Sequence, residues 1–492
     1  MLLCARQELY PTPTLPKQGR EKKAASRRFS ADQVQTSYQG KSDMTTIGCS
    51  SPVFVAMATV LATLCTPLAI AQSNDAVLTA RVVHVLAKVP LIDGHNDLPW
   101  EIRERFGNAA GVNLSASTAN LPPTAKGDEV RNPLMTDIPR LRSGHVGAQF
   151  WSVWIPPTVT GPAAVKMTIE QIDLVRNMVA RYPKDLQMAY SAEDIERAHA
   201  AGRIASLIGI EGGHQIDDSL PTLRQMYVLG ARYMTLTHTS DNDWADSATD
   251  APRHHGLTPF GRAVVHEMNR LGMLVDLSHV SPDTMRAALA VSQAPVMFSH
   301  SGARALNDHP RDVPDDVLTM VARNHGIVMV TFAPAYVSAE RNRWEADRAA
   351  EQTRFNAPPY AGLYIGQPER AKAAMAVWDA RHPMPVVTIA MVADHIEHIR
   401  RIAGIDCVGI GSDFDGIPNS PQGLDGVDKF PAVLKELARR GWTDEELGKV
   451  AGENMLRVMR EAAVVAKRLQ ATESPASVTI EQLDAGVAGK PL

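Results

Sequence analysis

The segment VPLIDGHNDLPW (residues 89–100) ends an apolar run in Asp93, His95 and Asp97, side chains that bind metal or move protons. Five other apolar runs end in the same way. IEGGH brings Glu211, LTHTSDNDWAD brings His238, VDLSHVS brings His279, MFSHSGA brings His300, and GIGSDFDG brings Asp413 and Asp415. Taken singly, a histidine at the end of a strand is an ordinary hydrogen-bonding residue. Their joint placement is what carries chemical meaning. Three of these imidazoles with three of the carboxylates already exceed the needs of one tetrahedral zinc ion. They suit two metals a few ångströms apart that share a bridging carboxylate and activate water for hydrolysis. Side chains two apart on a strand point to the same face, so His95 and Asp97 are expected to close on one ion. Imidazole and carboxylate without thiolate suit Zn2+ and also accept Mn2+ or Co2+.

Such residues need a scaffold that gathers strand ends. Short apolar runs fall at 89–94, 148–155, 205–210, 231–237, 272–278, 295–299, 326–333 and 407–411, and helical patterns separate them. Two helices are expected over 257–271 and 281–292, the second with Ser281 as its cap and Pro282 in its first turn. Strand alternating with helix implies a parallel sheet. Eight such runs fit an α/β fold of the (β/α)8 TIM-like barrel type, in which functional residues sit at the C-terminal ends of the strands. A doubly wound open sheet is the alternative, but no GxGxxG follows any strand. Residues 339–385 are polar, partly helical and follow the seventh strand. They read as an insertion after strand 7, either a lid over the barrel mouth or a peripheral decoration.

Residues 1–71 hold eight Lys/Arg and four Asp/Glu, which leaves a net −8 on the remainder of a chain whose total is −4. An acidic body argues against a nucleic-acid partner. The apolar, small-residue stretch SSPVFVAMATVLATLCTPLAIA resembles a secretory signal with cleavage near residues 71/72. Met44 would give it ordinary length, and an uncleaved N-terminal helix is the alternative. Either reading puts the body outside the cytoplasm, and after cleavage no stable membrane anchor is expected. Of four cysteines only Cys407 lies in the body, so no disulfide can form within it. The barrel is expected over 72–470, and 471–492 reads as a flexible tail.

The motifs DGHNDLP, IGIEGGHQIDDSLPTLRQMYVLGARYMTLTHTSDNDWAD, VDLSHVS, FSHSGARAL, RDVPDDVL and GIGSDFDGIP together resemble the membrane (renal-type) dipeptidase family, peptidase M19 of the amidohydrolase superfamily, from about residue 77 to 465. The resemblance implies a zinc-dependent dipeptidase that uses a hydroxide bridging two Zn2+ ions. His95 and Asp97 would hold the first ion, His279 and His300 the second, and Glu211 both. His238 would stabilise the oxyanion, Arg311 would bind the C-terminal carboxylate of the dipeptide, and Asp413 would shuttle the proton. Asp415 is left to orient a neighbour or cap a turn. Tyr336, in TFAPAYVS, sits where the family often has a substrate-contacting tyrosine, although the local run departs from the usual one. The family also implies a homodimer, and the absence of the animal members' GPI-type tail points to a periplasmic or secreted protein. The 339–385 insertion is longer than in compact animal members, which leaves substrate range open. The same chemistry would serve another amide, a lactone or a β-lactam. A barrel without activity would lack ligands, and here every expected position is filled. Serine catalysis has no GxSxG behind it.

Overall fold

The apolar runs become eight parallel strands, and each is buried because helices cover the outer face while its neighbours fill the inner one. The computed structural model describes residues 75–122, 124–126, 129–356 and 362–485. The expected signal segment and its cleavage point lie outside them, as does the end of the expected tail. The strands are β1 (Leu91–Asn96), β2 (Val146–Trp154), β3 (Ile204–Glu211), β4 (Ala231–Thr235), β5 (Leu274–Asp276), β6 (Met297–Ser301), β7 (Ile327–Val330) and β8 (Val408–Ile410). Their order, β2-β1-β8-β7-β6-β5-β4-β3, closes on itself because β2 also pairs with β3, from Ala148↔Ala205 to Trp154↔Glu211. The result is a closed (β/α)8 barrel. A three-residue strand, Leu186–Met188, adds to the start of β3, and a small hairpin joins Thr124–Lys126 to Glu129–Arg131; neither is legible as an apolar run.

The expected helices fall where their caps direct them. Thr258 accepts from the Gly261 amide at the start of Pro259–Leu271, and Gly272, with φ 80°, ends that helix in the left-handed region that glycine adopts without penalty. Ser281 accepts from the Thr284 amide and Pro282 opens Pro282–Val291. Inside the barrel, Ile92, Phe150, Leu207, Tyr233, Leu274, Met297 and Met329 pack into the lower core, closed from below by Met455 and Met459.

The partly helical insertion follows β7 as expected, whereas the chain after 471 meets a different outcome. The insertion is a pair of helices, Ala339–Asn356 and Pro368–Arg381, held by the Arg348–Asp379 ion pair at 2.8 Å and a small apolar cluster of Phe355, Ala371 and Met375. The chain after 471 is seated rather than loose as far as residue 484. Ala462, Ala466 and Leu469 bury one stripe of Asn454–Thr472, Arg224 donates to the Ala476 carbonyl at 3.0 Å, and the Phe260 amide donates to Asp484 at 3.0 Å. The small-residue composition hid that stripe. Among the described residues no helix is long and apolar enough to cross a membrane.

Gly209 is among the tightest points of the interior: a Cβ there would lie 1.9 Å from Cζ of Tyr233. Gly209→Ala is therefore expected to cost about 1–3 kcal/mol through overpacking, read as a lower unfolding midpoint in denaturant. A variant as stable as the parent would mean that the Tyr233 ring yields freely.

Candidate metal centre

The C-terminal rim collects the strand-end residues named from the sequence. Glu211 closes β3 and is the hub. Its Oε1 lies 2.9 Å from His279 Nε2, 3.4 Å from His300 Nε2 and 3.6 Å from His238 Nε2. Its Oε2 lies 3.4 Å from His95 Nε2 and accepts from Ser152 Oγ at 3.1 Å. His95 Nε2 is also 3.1 Å from Asp97 Oδ2, and His279 and His300 bring their Nε2 atoms within 3.0 Å of each other. Ligand atoms of His95, Asp97 and Asp413 converge likewise, as do those of His95, Glu211 and His300, and of Glu211, His238 and His279.

The backbone is bent to achieve this. Between Asp93 and Asn96, β1 carries one residue more than β2 across from it, and between Phe298 and Ser301, β6 carries one more than β7. Such bulges re-aim side chains, and His95 and His300 sit in them. His279, Asp413 and Asp415 adopt φ of 69°, 65° and 65°, in the left-handed region that side chains other than glycine's enter at a cost. Asp97 lies one residue beyond β1, where the helix Leu98–Phe106 begins, so its proximity to His95 comes from the strand end rather than from strand alternation alone.

Hydroxyl groups behind the rim fix which imidazole nitrogen faces inward. Tyr233 donates to the Gly94 carbonyl at 3.3 Å and so accepts from His95 Nδ1 at 2.9 Å. Ser299 donates to Asp276 Oδ2 at 2.7 Å and accepts from His300 Nδ1 at 2.8 Å. Both rings are left with Nε2 facing Glu211. Asp276 is buried and takes further donors from Thr235 Oγ1 and from the amides of Ser278 and Ser299. Metal-binding histidines are typically oriented in this way. Neither Tyr233, Ser299 nor Asp276 was named from the sequence, although Ser299 adjoins His300 and Asp276 ends an apolar run.

The electrostatics follow from burial. Burial and the nearby Arg311 charge hold His279 well below the ordinary imidazole range; for His300, burial is joined by His95 and Arg311. Burial also lowers His238. For His95, burial is outweighed by Tyr233, Glu211 and Asp97, which raise it well above that range. Burial pushes Glu211 up, but His95 and His238 outweigh it and hold the carboxyl well below the usual range. Lone pairs of the neutral His279 and His300 rings thus converge on a Glu211 carboxylate oxygen within 3.4 Å, an arrangement that a cation satisfies and that neutral donors do not. The donor set fits divalent metal, and its imidazole–carboxylate character fits zinc.

A cavity of about 530 Å3 opens over this cluster, and Asp97, Glu211, His238, His279, His300, Arg311, Tyr336 and Asp413 all line it. Arg311 is buried, donates to the His300 carbonyl at 3.4 Å, lies 5.2 Å over the Tyr336 ring, and leaves Nε and Nη1 without a partner among the described residues. No residue of the 339–385 insertion lines the cavity among those described. Asp93, flagged with His95, has a different role: it accepts from the Ser412 amide and hydroxyl, both at 2.7 Å, and from Gln149 at 2.8 Å, tying β1 to β8 and β2. Asp415 pins the Met135 amide at 2.7 Å. His214 is largely buried behind Glu211 and His238, His254 bonds the Asn242 carbonyl, and the His309 ring lies 4.4 Å from Tyr336. A larger hollow of about 710 Å3, among Leu289, Met320, Arg323 and Val464, holds none of the strand-end residues.

A closed parallel barrel with this cluster on its C-terminal rim is the architecture of a metal-binding hydrolase. The chain belongs to the membrane dipeptidase family, peptidase family M19, whose model matches residues 79–473. Among solved structures it is similar to a probable dipeptidase, PvdM, from Pseudomonas aeruginosa, at 25% identity and TM-score 0.63, covering 80% of this chain and 99% of that one. It is also similar to a metallopeptidase from Rhodobacter sphaeroides solved with a phosphinate mimic of L-Ala-D-Ala, at 20% identity and TM-score 0.59, covering 76% and 99%. A third, the M19 metallopeptidase dipeptidase AC, matches at 21% identity and TM-score 0.60, covering 76% and 98%. Its family makes this chain a metal-binding hydrolase of the dipeptidase class.

Tyr233→Phe removes the hydroxyl that orients His95 while preserving the ring that packs the interior. It is expected to weaken metal affinity about 10- to 100-fold with little change in the unfolding midpoint, as read by chelator competition.

Proposed function

We propose that this chain hydrolyses the peptide bond of dipeptides with two Zn2+ ions held across Glu211, Mn2+ or Co2+ serving as substitutes. The observation that carries the reading is the divided carboxylate: Oε1 faces His279 and His300 while Oε2 faces His95. His95 and Asp97 would hold one ion, His279 and His300 the other, and Glu211 both. Two such ions supply Lewis acidity and lower the pKa of water toward neutrality.

The chain's own residues do the rest. His238, its ring 4.2 Å from that of His279 and edge-on to Trp154 at 5.5 Å, is neutral and partly exposed at the cavity wall. In this reading it donates to the carbonyl oxygen as negative charge develops there. Asp413 is raised well above the usual carboxylate range by burial, against the opposing pull of His95 and with help from Asp97 and Glu211. Cations beside it act in the opposite direction, so the carboxyl can accept the proton of the attacking water and return it to the leaving amine. Arg311 offers buried N–H groups, unpartnered among the described residues, beside the cluster, suited to the C-terminal carboxylate of the substrate. Tyr336 lies against the Arg311 guanidinium and borders the same space. A dipeptide supplies a carboxylate one residue beyond the scissile bond, and a longer peptide does not. The cavity's volume suits that size, and the Rhodobacter relative was solved with a dipeptide mimic.

Metal analysis and a dipeptide assay before and after chelation test this. Activity should vanish on chelation and return as zinc is restored to two ions per chain, whereas full recovery at one ion would sink the shared-carboxylate reading. His238→Ala is expected to lower kcat about 100- to 1000-fold while changing KM far less, as steady-state kinetics would show.

A further inference from the structure

We propose that Arg105 forms the far end of the same cavity and selects dipeptides whose N-terminal residue carries an acidic side chain, aspartate or glutamate. The inference rests on the function proposed above, in which the C-terminal carboxylate lies at Arg311. Arg311 reaches the cavity from the loop after β6, and Arg105 from the helix after β1 (Leu98–Phe106), across the barrel mouth. A dipeptide anchored on the first therefore extends its N-terminal residue toward the second.

Arg105 has the features of a receptor rather than of a surface residue. Its side chain is only 3% exposed. Nη1 donates to the Asn132 carbonyl at 2.8 Å and lies 3.4 Å from Glu101 Oε2, and Asn132 is itself held by a bond to the Pro418 carbonyl at 2.8 Å. Nε and Nη2 are buried and have no partner among the described residues. Those two N–H groups form one edge of the guanidinium, with parallel bonds spaced to meet both oxygens of a carboxylate. Buried donors left unpaired cost free energy, so two such donors on a residue that lines the cavity are accounted for by a ligand that supplies two acceptors. Because Glu101 already offsets part of the charge on the other edge, the bidentate geometry, more than net charge, sets the preference. Trp100, on the same wall, offers the competing possibility of an aromatic or apolar N-terminal residue.

The test compares kcat/KM for Glu-Ala and its near-isostere Gln-Ala, with Ala-Ala and Phe-Ala as references. The zinc-loaded parent should favour Glu-Ala over Gln-Ala about 10- to 100-fold, the value of a charge-assisted pair. In Arg105→Gln that ratio should collapse toward one, and Arg105→Lys, which keeps the charge but not the fork, should give an intermediate ratio. Zinc content of each variant shows that the metal centre survives, and the parent's ratio stands even if a variant fails to fold. Hydrolysis of both substrates at equal efficiency by the parent, or a preference for Phe-Ala, would overturn this inference and leave the proposed function intact. If no dipeptide is cleaved, the proposed function falls and this inference with it.

Discussion

The structure is organised around one buried carboxylate. Glu211 stands at the barrel rim with four imidazoles around it, and its two oxygens face different partners. Removing an ionised carboxylate from water is expensive unless charge or hydrogen bonds compensate. Here the imidazoles outweigh that cost and hold the group ionised, while His279 and His300 stay neutral and present lone pairs. A cluster of that kind is a standing demand for cations, and the surrounding irregularities serve to maintain it.

Those irregularities are costly in isolation. Bulges in β1 and β6 and left-handed backbone at His279 and Asp413 are tolerated because the neighbouring structure over-determines them. Asp276 collects four donors beneath the rim, Asp93 ties three strands together, and the Tyr233 hydroxyl orients His95 from within the packed interior. Rigidity in the lower barrel is thus transferred to side chains that must meet within about half an ångström at the mouth.

The cavity above the cluster is asymmetric. One wall comes from the loops after β6 and β7, with Arg311 and Tyr336. The opposite wall comes from β1, β2 and β8, with Trp100, Arg105, Trp154 and the turn after Asp413. The helical insertion stays outside this space among its described residues and binds the β8 loop through Arg341 and Asn419 at 2.8 Å. Its Trp344–Trp378 contact and the Arg348–Asp379 pair make it a self-supporting appendage.

By itself the sequence determined the strands, their parallel arrangement and the residues at their ends, because buried parallel strands read as continuous apolar runs and ligating side chains interrupt them abruptly. His95, Glu211, His279, His300 and Asp413 are legible for that reason. The helix cap at Ser281 is legible because capping is local chemistry, whereas the cap at Thr258 falls inside the helix expected over 257–271. What only the tertiary structure decided depends on register and on contacts between distant segments. The extra residues in β1 and β6 that turn His95 and His300 toward Glu211 leave no mark in an apolar pattern. The structural role of Asp93, the Tyr233 and Ser299 hydroxyls behind the rings, the docking of residues 473–484 and the hold of Asn132 on Arg105 are likewise pairings across tens or hundreds of residues. No local propensity encodes them, since each exists only once the barrel has closed.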